Sequence, residues 1–143
     1  MNLKNFERTI EPQIVSRGFR YFEDEAITEI EQVEKGEFCA TVEGSEDYAV
    51  FVKIDDKLNV ESHSCDCPYD WGTVCKHEVA VLYQIRAKAL YNQSFKASTF
   101  YKIKQDLAKL DKEALQEIIL DLSKKSKLVR EYIKWELGHE YES

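Results

Sequence analysis

The feature that most constrains this chain is a cluster of three cysteines and one histidine within residues 65–77. The sequence there reads C-x-C-x7-C-x-H, with Cys65, Cys67, Cys75 and His77 at the fixed positions. Three thiolates and one imidazole form the closed tetrahedral donor set that a structural zinc ion prefers, and they leave no coordination position for a substrate water. The spacing therefore predicts a structural Zn²⁺ site made by these four residues.

Local chain geometry allows both halves of the motif to bind one ion. Residues i and i+2 of a strand point to the same side, so Cys65 and Cys67 at the end of a strand can share an ion. On a helix the same spacing diverges, so we expect Cys75 just before or at the cap of the following helix, with His77 in its first turn. The positive end of that helix dipole, together with Lys76, then favours the negatively charged cluster.

Three alternatives to this interpretation are a disulfide, an iron–sulfur cluster, and His63 as the fourth ligand. A disulfide between Cys65 and Cys67 would close a very small, strained ring, and an iron–sulfur cluster usually takes four cysteines. His63 precedes Cys65 by two residues and points the same way by strand alternation. It can therefore replace His77 as a ligand or lie beside the site as a hydrogen-bond donor to a ligand. Cys39 is far away in sequence, and we interpret it as a filler residue.

Hydrophobic periodicity predicts an α+β fold in which a meander of strands leads into the cluster. Pro12 suits the first position of a helix, and apolar residues recur at helical spacing over 12–24. Short turns favour an antiparallel four-stranded meander, with strand-like segments at 26–34, 37–43, 47–54 and 58–65. The chain is then expected to pass through the cysteine cluster into a helix. Because 79–91 is apolar on most sides, we expect that helix to lie between the sheet and the C-terminal part.

The C-terminal part is predicted to be a helical extension. One apolar stripe begins at Phe100, and a helical hairpin follows in which Asp111 and Ser126 are suitable N-caps. Gly138 is placed to end the last helix. With a boundary at 92–94, the chain divides into a zinc-finger domain at 1–92 and a helical extension at 93–143.

Charge is unevenly distributed along the chain, whose formal net charge is -7. Residues 1–75 hold 7 Lys and Arg against 17 Asp and Glu, whereas residues 76–112 hold 8 against 3. Nucleic-acid affinity comes mainly from cationic side chains on phosphates, so the overall acidity argues against a polyanionic partner and the second region offers the place to meet one. A solvated helical face is the alternative interpretation of that region.

Candidate nucleic-acid contacts are three cations and two aromatic residues near the motif. Lys76, Arg86 and Lys88 are placed to contact phosphates, and Tyr69 and Trp71 offer rings on which a base can stack. Packing of the loop over the zinc is the alternative role of the two rings.

The sequence argues against an enzyme and against a membrane protein. It has no Ser-His-Asp or P-loop pattern, and the motif accounts for its clustered cysteines as ligands. The longest apolar run, Val79 to Tyr83, is too short to cross a bilayer, and the amino terminus lacks the apolar region of a secretory signal. We therefore expect a cytoplasmic binding protein with no small-molecule substrate.

At the cluster the sequence resembles a SWIM-type zinc finger, whose signature is CxCx(n)CxH. The similarity covers roughly residues 10–90 and includes positions outside the ligands, among them Gly18, Tyr21, Gly44, Ser45 and Tyr48. The helices after residue 98 resemble the extension that often follows such fingers in bacterial proteins.

The resemblance implies a ββα zinc finger whose ligands are Cys65, Cys67, Cys75 and His77. It further implies DNA binding or protein–protein interaction, often with attachment to, or partnership with, a Snf2-type helicase. Two functions follow as expectations. One is a zinc finger module that binds nucleic acid, DNA in particular, in a DNA-related machine. The other is a protein-interaction adaptor that uses the acidic sheet face or the C-terminal helices, with Trp135 as an anchor.

The two histidines near the motif give different expectations for metal content. We expect His77→Ala to lower the zinc stoichiometry or affinity of the purified protein markedly, because it removes a ligand, whereas His63→Ala leaves the stoichiometry close to that of the parent chain. A metal titration of both variants checks this. The opposite order would move the fourth ligand to His63.

Overall fold

The computed structural model describes residues 1–69, 72–90 and 100–138, which belong to two units, Met1–Thr99 and Phe100–Ser143. In the first unit, helix α1 spans Pro12–Glu23, strands β1 to β4 span Ile27–Glu34, Glu37–Glu43, Asp47–Ile54 and Val60–Cys65, and helix α2 spans Lys76–Leu90. The second unit contains α3 (Phe100–Ala108), α4 (Lys112–Lys125) and α5 (Lys127–Leu137). The predicted α+β class is confirmed. The predicted boundary at 92–94 lies outside the described residues.

The four strands pair in chain order as an antiparallel meander, as the turn pattern predicted. Val50 of β3 pairs with Ala40 of β2 on one side and with Cys65 of β4 on the other. Alternation therefore gives the sheet one buried face, whose main members are Phe38, Ala40, Val42, Tyr48, Val50 and Val52. Because Cys65 follows the same alternation, the end of β4 presents it on the core side of the sheet.

Helix α2 lies at the centre of the first unit. Every residue from His77 to Leu82 is buried, and the helix contacts β3 and β4 on one side and α1 on the other. The contact between α1 and α2 was not anticipated from the sequence. Gly18 explains the close approach of the two helices, since a Cβ at that position would lie 2.4 Å from the Cβ of Val79.

The first nine residues complete the core, and sequence patterning made no prediction for them. Leu3 and Phe6 are buried, and the backbone N–H of Leu3 donates to the carbonyl of Leu58 in the β3–β4 connection. The guanidinium of Arg86 lies 4.6 Å from the centre of the Phe6 ring and makes two hydrogen bonds to the carboxylate of Glu7. This pairing holds the pKa of Glu7 below its ordinary value. The segment is thus tied to α2 by apolar burial and by an ion pair.

Helices α4 and α5 of the second unit begin and end at the predicted capping residues. The Asp111 side chain accepts a hydrogen bond from the backbone N–H of Ala114, and the Ser126 side chain accepts one from Val129. Gly138 follows α5 with a left-handed φ of 64°. Neither α4 nor α5 contains a buried residue. No helix within the described ranges combines the length and the apolar character needed to cross a membrane.

Substitution of Gly18 by alanine tests the contact between α1 and α2. The new Cβ would also lie 2.9 Å from the carbonyl oxygen of Lys76, so the helices must separate. We expect a loss of roughly 1–3 kcal/mol in the free energy of unfolding, the usual cost of overpacking. Chemical denaturation checks this, with exposed Ser16→Ala on the same helix as the control. Equal stability of the two variants would contradict the close approach.

Candidate metal centre

The end of β4 and the start of α2 bring the two halves of the motif together. On the strand side, Asp66 lies between the two cysteines and continues the ladder to Ala49, whose backbone N–H donates to the Asp66 side chain at 2.9 Å. The backbone N–H of Asp66 donates in turn to the Ala49 carbonyl at 3.3 Å. Asp66 is therefore directed to β3, which fixes the chain between Cys65 and Cys67.

On the helix side, Cys75 occupies the N-cap position of α2. Its carbonyl accepts the first intrahelical hydrogen bond, from Val79, and its Sγ accepts the backbone N–H of Glu78 at 3.5 Å. A second hydrogen bond runs in the opposite direction, because Oε1 of Glu78 accepts the backbone N–H of Cys75 at 2.9 Å. This is a capping box with a thiol in place of the usual hydroxyl. As the sequence analysis expected, Cys75 lies at the cap and His77 in the first turn.

The four side chains form one cluster that can hold a metal ion. The donor atoms of Cys65, Cys67, Cys75 and His77 all lie within 4.8 Å of one another. His77 Nδ1 is 3.8 Å from the Cys65 Sγ and 3.9 Å from the Cys75 Sγ. Cys39 is not a member of this cluster; it lies in mid-strand opposite Phe51. The donor set therefore fits one ion shared by β4, the loop after it and α2.

The imidazole of His77 is held by rings and by a glycine. It stacks on Tyr48 with ring centres 4.5 Å apart and meets the Tyr21 ring edge to face at 5.2 Å. A Cβ on Gly44 would lie 3.3 Å from His77 Nε2, so only glycine leaves that side of the ring clear. Nε2 is buried and has no hydrogen-bond partner within the described residues. The ring is thus fixed with Nδ1 toward the thiols.

His63 lies beside the cluster and is paired to a different residue. Its Nδ1 contacts Oε2 of Glu78, which raises the pKa of His63 above its ordinary value. Both residues line a cavity of about 210 Å³ together with the three cysteines of the cluster. Sequence reasoning placed His63 near the site and missed Glu78, although an acidic residue three positions after a helix cap is the signal of a capping box.

Two thiols of the cluster, those of Cys67 and Cys75, have a pKa above that of free cysteine. The Cys65 side chain and burial raise the pKa of Cys75, and burial raises the pKa of Cys67. Thiolates are the form that binds metal. A metal ion that binds here would therefore have to displace the protons of Cys67 and Cys75.

The residues predicted to contact nucleic acid do not all lie in one place. Lys76 and Tyr69 lie near the cluster, whereas Arg86 and Lys88 lie toward the C-terminal end of α2. Lys76 Nζ lies 5.3 Å from the centre of the Tyr21 ring, and Tyr69 is half-buried at the border of the cluster. Arg86 is bound to Glu7 and to backbone carbonyls of the amino-terminal segment, at the other end of α2. Lys88 is half-buried in the last turn of α2. Trp71 lies outside the described residues.

A second cavity, of about 350 Å³, lies between α1 and the cluster. We call it the α1 groove; its lining includes Ile14, Arg17, Tyr48, Tyr69 and Lys76. Arg17 is exposed and makes no ion pair with any residue in the described ranges. The groove therefore brings together Lys76 and Tyr69 from the predicted contacts with Arg17, which sequence reasoning had not singled out.

Comparison of the chain with known protein families, with curated proteins and with solved structures gives no match.

Metal removal tests the cluster directly. A structural zinc site contributes about 10–16 kcal/mol of apparent binding free energy, as much as the ~5–15 kcal/mol stability of a whole domain. We expect EDTA to lower the melting temperature of the first unit and to unfold at least the 65–91 region, and added zinc to restore both. Thermal unfolding monitored by circular dichroism checks this, with Cys39→Ser as a metal-retaining control. Identical melting curves with and without EDTA would exclude a structural ion.

Proposed function

We propose that the chain is a structural zinc-binding module. Zinc fits the donor set, because three thiolates and an imidazole are its usual closed shell. With bonds of about 2.3 Å to sulfur and 2.0 Å to nitrogen, the edges of a zinc tetrahedron that join S to N measure about 3.5 Å. The two measured Sγ–Nδ1 separations are 3.8 and 3.9 Å. The chemistry such an ion supplies here is crosslinking of β4 to α2.

We further propose that the module binds nucleic acid, and DNA in particular, through the α1 groove. The observation that carries this proposal is the pairing of two cations with an aromatic side chain in one concave surface beside the metal. Arg17 and Lys76 are suited to phosphates, and Tyr69 offers a ring to a base. The acidic surplus of the chain does not oppose this, because none of the charged residues described in the lining of the groove is acidic.

The burial of α2 limits how such a module would meet DNA. A helix that reads the major groove must present side chains to the base edges. Helix α2 is enclosed by the sheet and α1, and Arg86 is paired with Glu7. Contact through the α1 groove would leave the core intact. The SWIM-type signature supports the same general role, with a Snf2-type helicase as a candidate partner.

A protein-interaction adaptor is the second candidate function, and the C-terminal helices favour it. On α5, Leu128, Tyr132 and Trp135 are 61%, 63% and 82% exposed. Large exposed apolar side chains on one helix are typical of an interaction surface, and tryptophan is a frequent hot-spot residue.

Salt-dependent binding to oligonucleotides distinguishes the two functions. We expect zinc-loaded protein to bind a labelled DNA in fluorescence anisotropy. Arg17→Ala combined with Lys76→Ala should weaken binding and reduce the salt slope by about one for each phosphate that is no longer neutralised. Lys35→Ala combined with Lys57→Ala, which removes two positive charges from residues outside the lining of the groove, should have no such effect. Absence of binding at low salt by protein with full zinc content would leave the adaptor as the function.

A further inference from the structure

Glu78 contacts Cys75 of the metal cluster and His63 beside the cluster, and it is not itself one of the four candidate ligands. One carboxylate oxygen accepts the backbone N–H of Cys75 at 2.9 Å, and the other contacts Nδ1 of His63. The Glu78 side chain is only 6% exposed and that of His63 is 24% exposed. The pair is therefore an internal contact rather than a surface ion pair.

The positions of the two residues make this contact a link between the ligand-bearing elements. His63 precedes Cys65 by two residues on β4, so the two side chains extend from the same face of that strand. Glu78 lies in the first turn of α2, three residues after Cys75. Through the pair, β4 is joined to the start of α2 by a path that does not include the metal.

Helix capping by itself does not explain why residue 78 is an acid. Glutamine serves as well as glutamate at the third position of a capping box. A buried carboxylate, by contrast, loses its hydration, and this cost is offset only when the carboxylate is paired and hydrogen-bonded. His63 supplies that partner, and both carboxylate oxygens of Glu78 are satisfied. The pairing with His63 thus explains why residue 78 is a glutamate rather than a glutamine.

We propose that His63 and Glu78 are positioning residues for the metal cluster. Their contact holds Cys65 and Cys75 at ligand spacing before an ion arrives and slows loss of the ion once it is bound. The cavity of about 210 Å³ that both residues line is also lined by the three cysteines, so the pair borders the space next to the ligands. His63 therefore acts through Glu78 and is not itself a ligand.

Zinc release and cobalt spectroscopy of the full chain test this assignment. Loss of groups that orient metal ligands typically costs 10–100-fold in affinity. We expect His63→Ala and Glu78→Ala each to release zinc to a chromophoric chelator about 10–100-fold faster than the parent chain. The visible spectrum of the Co²⁺-loaded variants should keep the position and intensity of the parent spectrum, because three sulfurs and one nitrogen still bind the ion.

Two further variants separate positioning from general loss of structure. In His63→Gln, the side-chain amide can still donate to Glu78, so we expect zinc release to return toward the parent rate. The double variant His63→Ala with Glu78→Ala should release zinc no faster than Glu78→Ala alone, because His63 acts only through Glu78. Exposed Glu61→Gln, two residues before His63 on β4, is the matched control with parent behaviour.

Three results would overturn the assignment. The first is a parent release rate in both single variants. The second is a changed cobalt spectrum in His63→Ala, which would make His63 a ligand. The third is strict additivity of the two substitutions in the double variant. If Glu78→Ala fails to fold by circular dichroism, the comparison of His63→Ala with His63→Gln decides the question. None of these readouts involves nucleic acid, so they are independent of DNA binding.

Discussion

The structure depends on the meeting of β4 and α2 at the spacing of a shared ion. The strand supplies Cys65, the helix cap supplies Cys75 and the first helical turn supplies His77. The apolar core acts on the same two elements, because α2 also packs its buried side chains against β3 and β4. A metal ion bound by the cluster would therefore stabilise the same interface as hydrophobic burial does. A change in the apolar contacts of α2 would therefore alter the spacing of the candidate ligands.

Cys75 is both the N-cap of α2 and a candidate metal ligand. Its backbone and thiol take part in the capping box that starts α2, and the same thiol points into the cluster. The start of the helix and the position of a ligand are thus set by a single residue. Three of the positions that carry the resemblance to SWIM-type fingers also position a candidate ligand. Tyr21, Gly44 and Tyr48 all lie next to the ring of His77.

The sequence was sufficient to predict those features that depend on local pattern. Strand alternation, turn residues and capping side chains are short-range signals, and the strand segments, Asp111, Ser126 and Gly138 were found where they were expected. The cluster itself was predictable because zinc ligation restricts both residue type and spacing. The strand bounds differ from the predicted ones by at most two residues.

Features that depend on contacts distant in sequence were not predictable. Nothing in residues 1–10 shows that Leu3 and Phe6 enter the core, because their partners lie in α2 and the β3–β4 connection. The pairing of Arg86 with Glu7 joins residues far apart in the chain, so Arg86 was interpreted as a free cation. The packing of α1 on α2 depends on the empty space at Gly18, which a composition or periodicity argument cannot locate.

The amino-terminal segment has a practical consequence for work with fragments. A piece cut at Pro12, where the first α-helix begins, would lack Phe6 and leave an apolar hollow against Tyr83, whose ring lies 4.9 Å from that of Phe6. It would also leave the guanidinium of Arg86 without its carboxylate. Expression of the first unit alone should therefore keep the residues upstream of α1. Fusion partners joined at Met1 need a spacer, because the Met1 carbonyl already accepts a hydrogen bond from Val60.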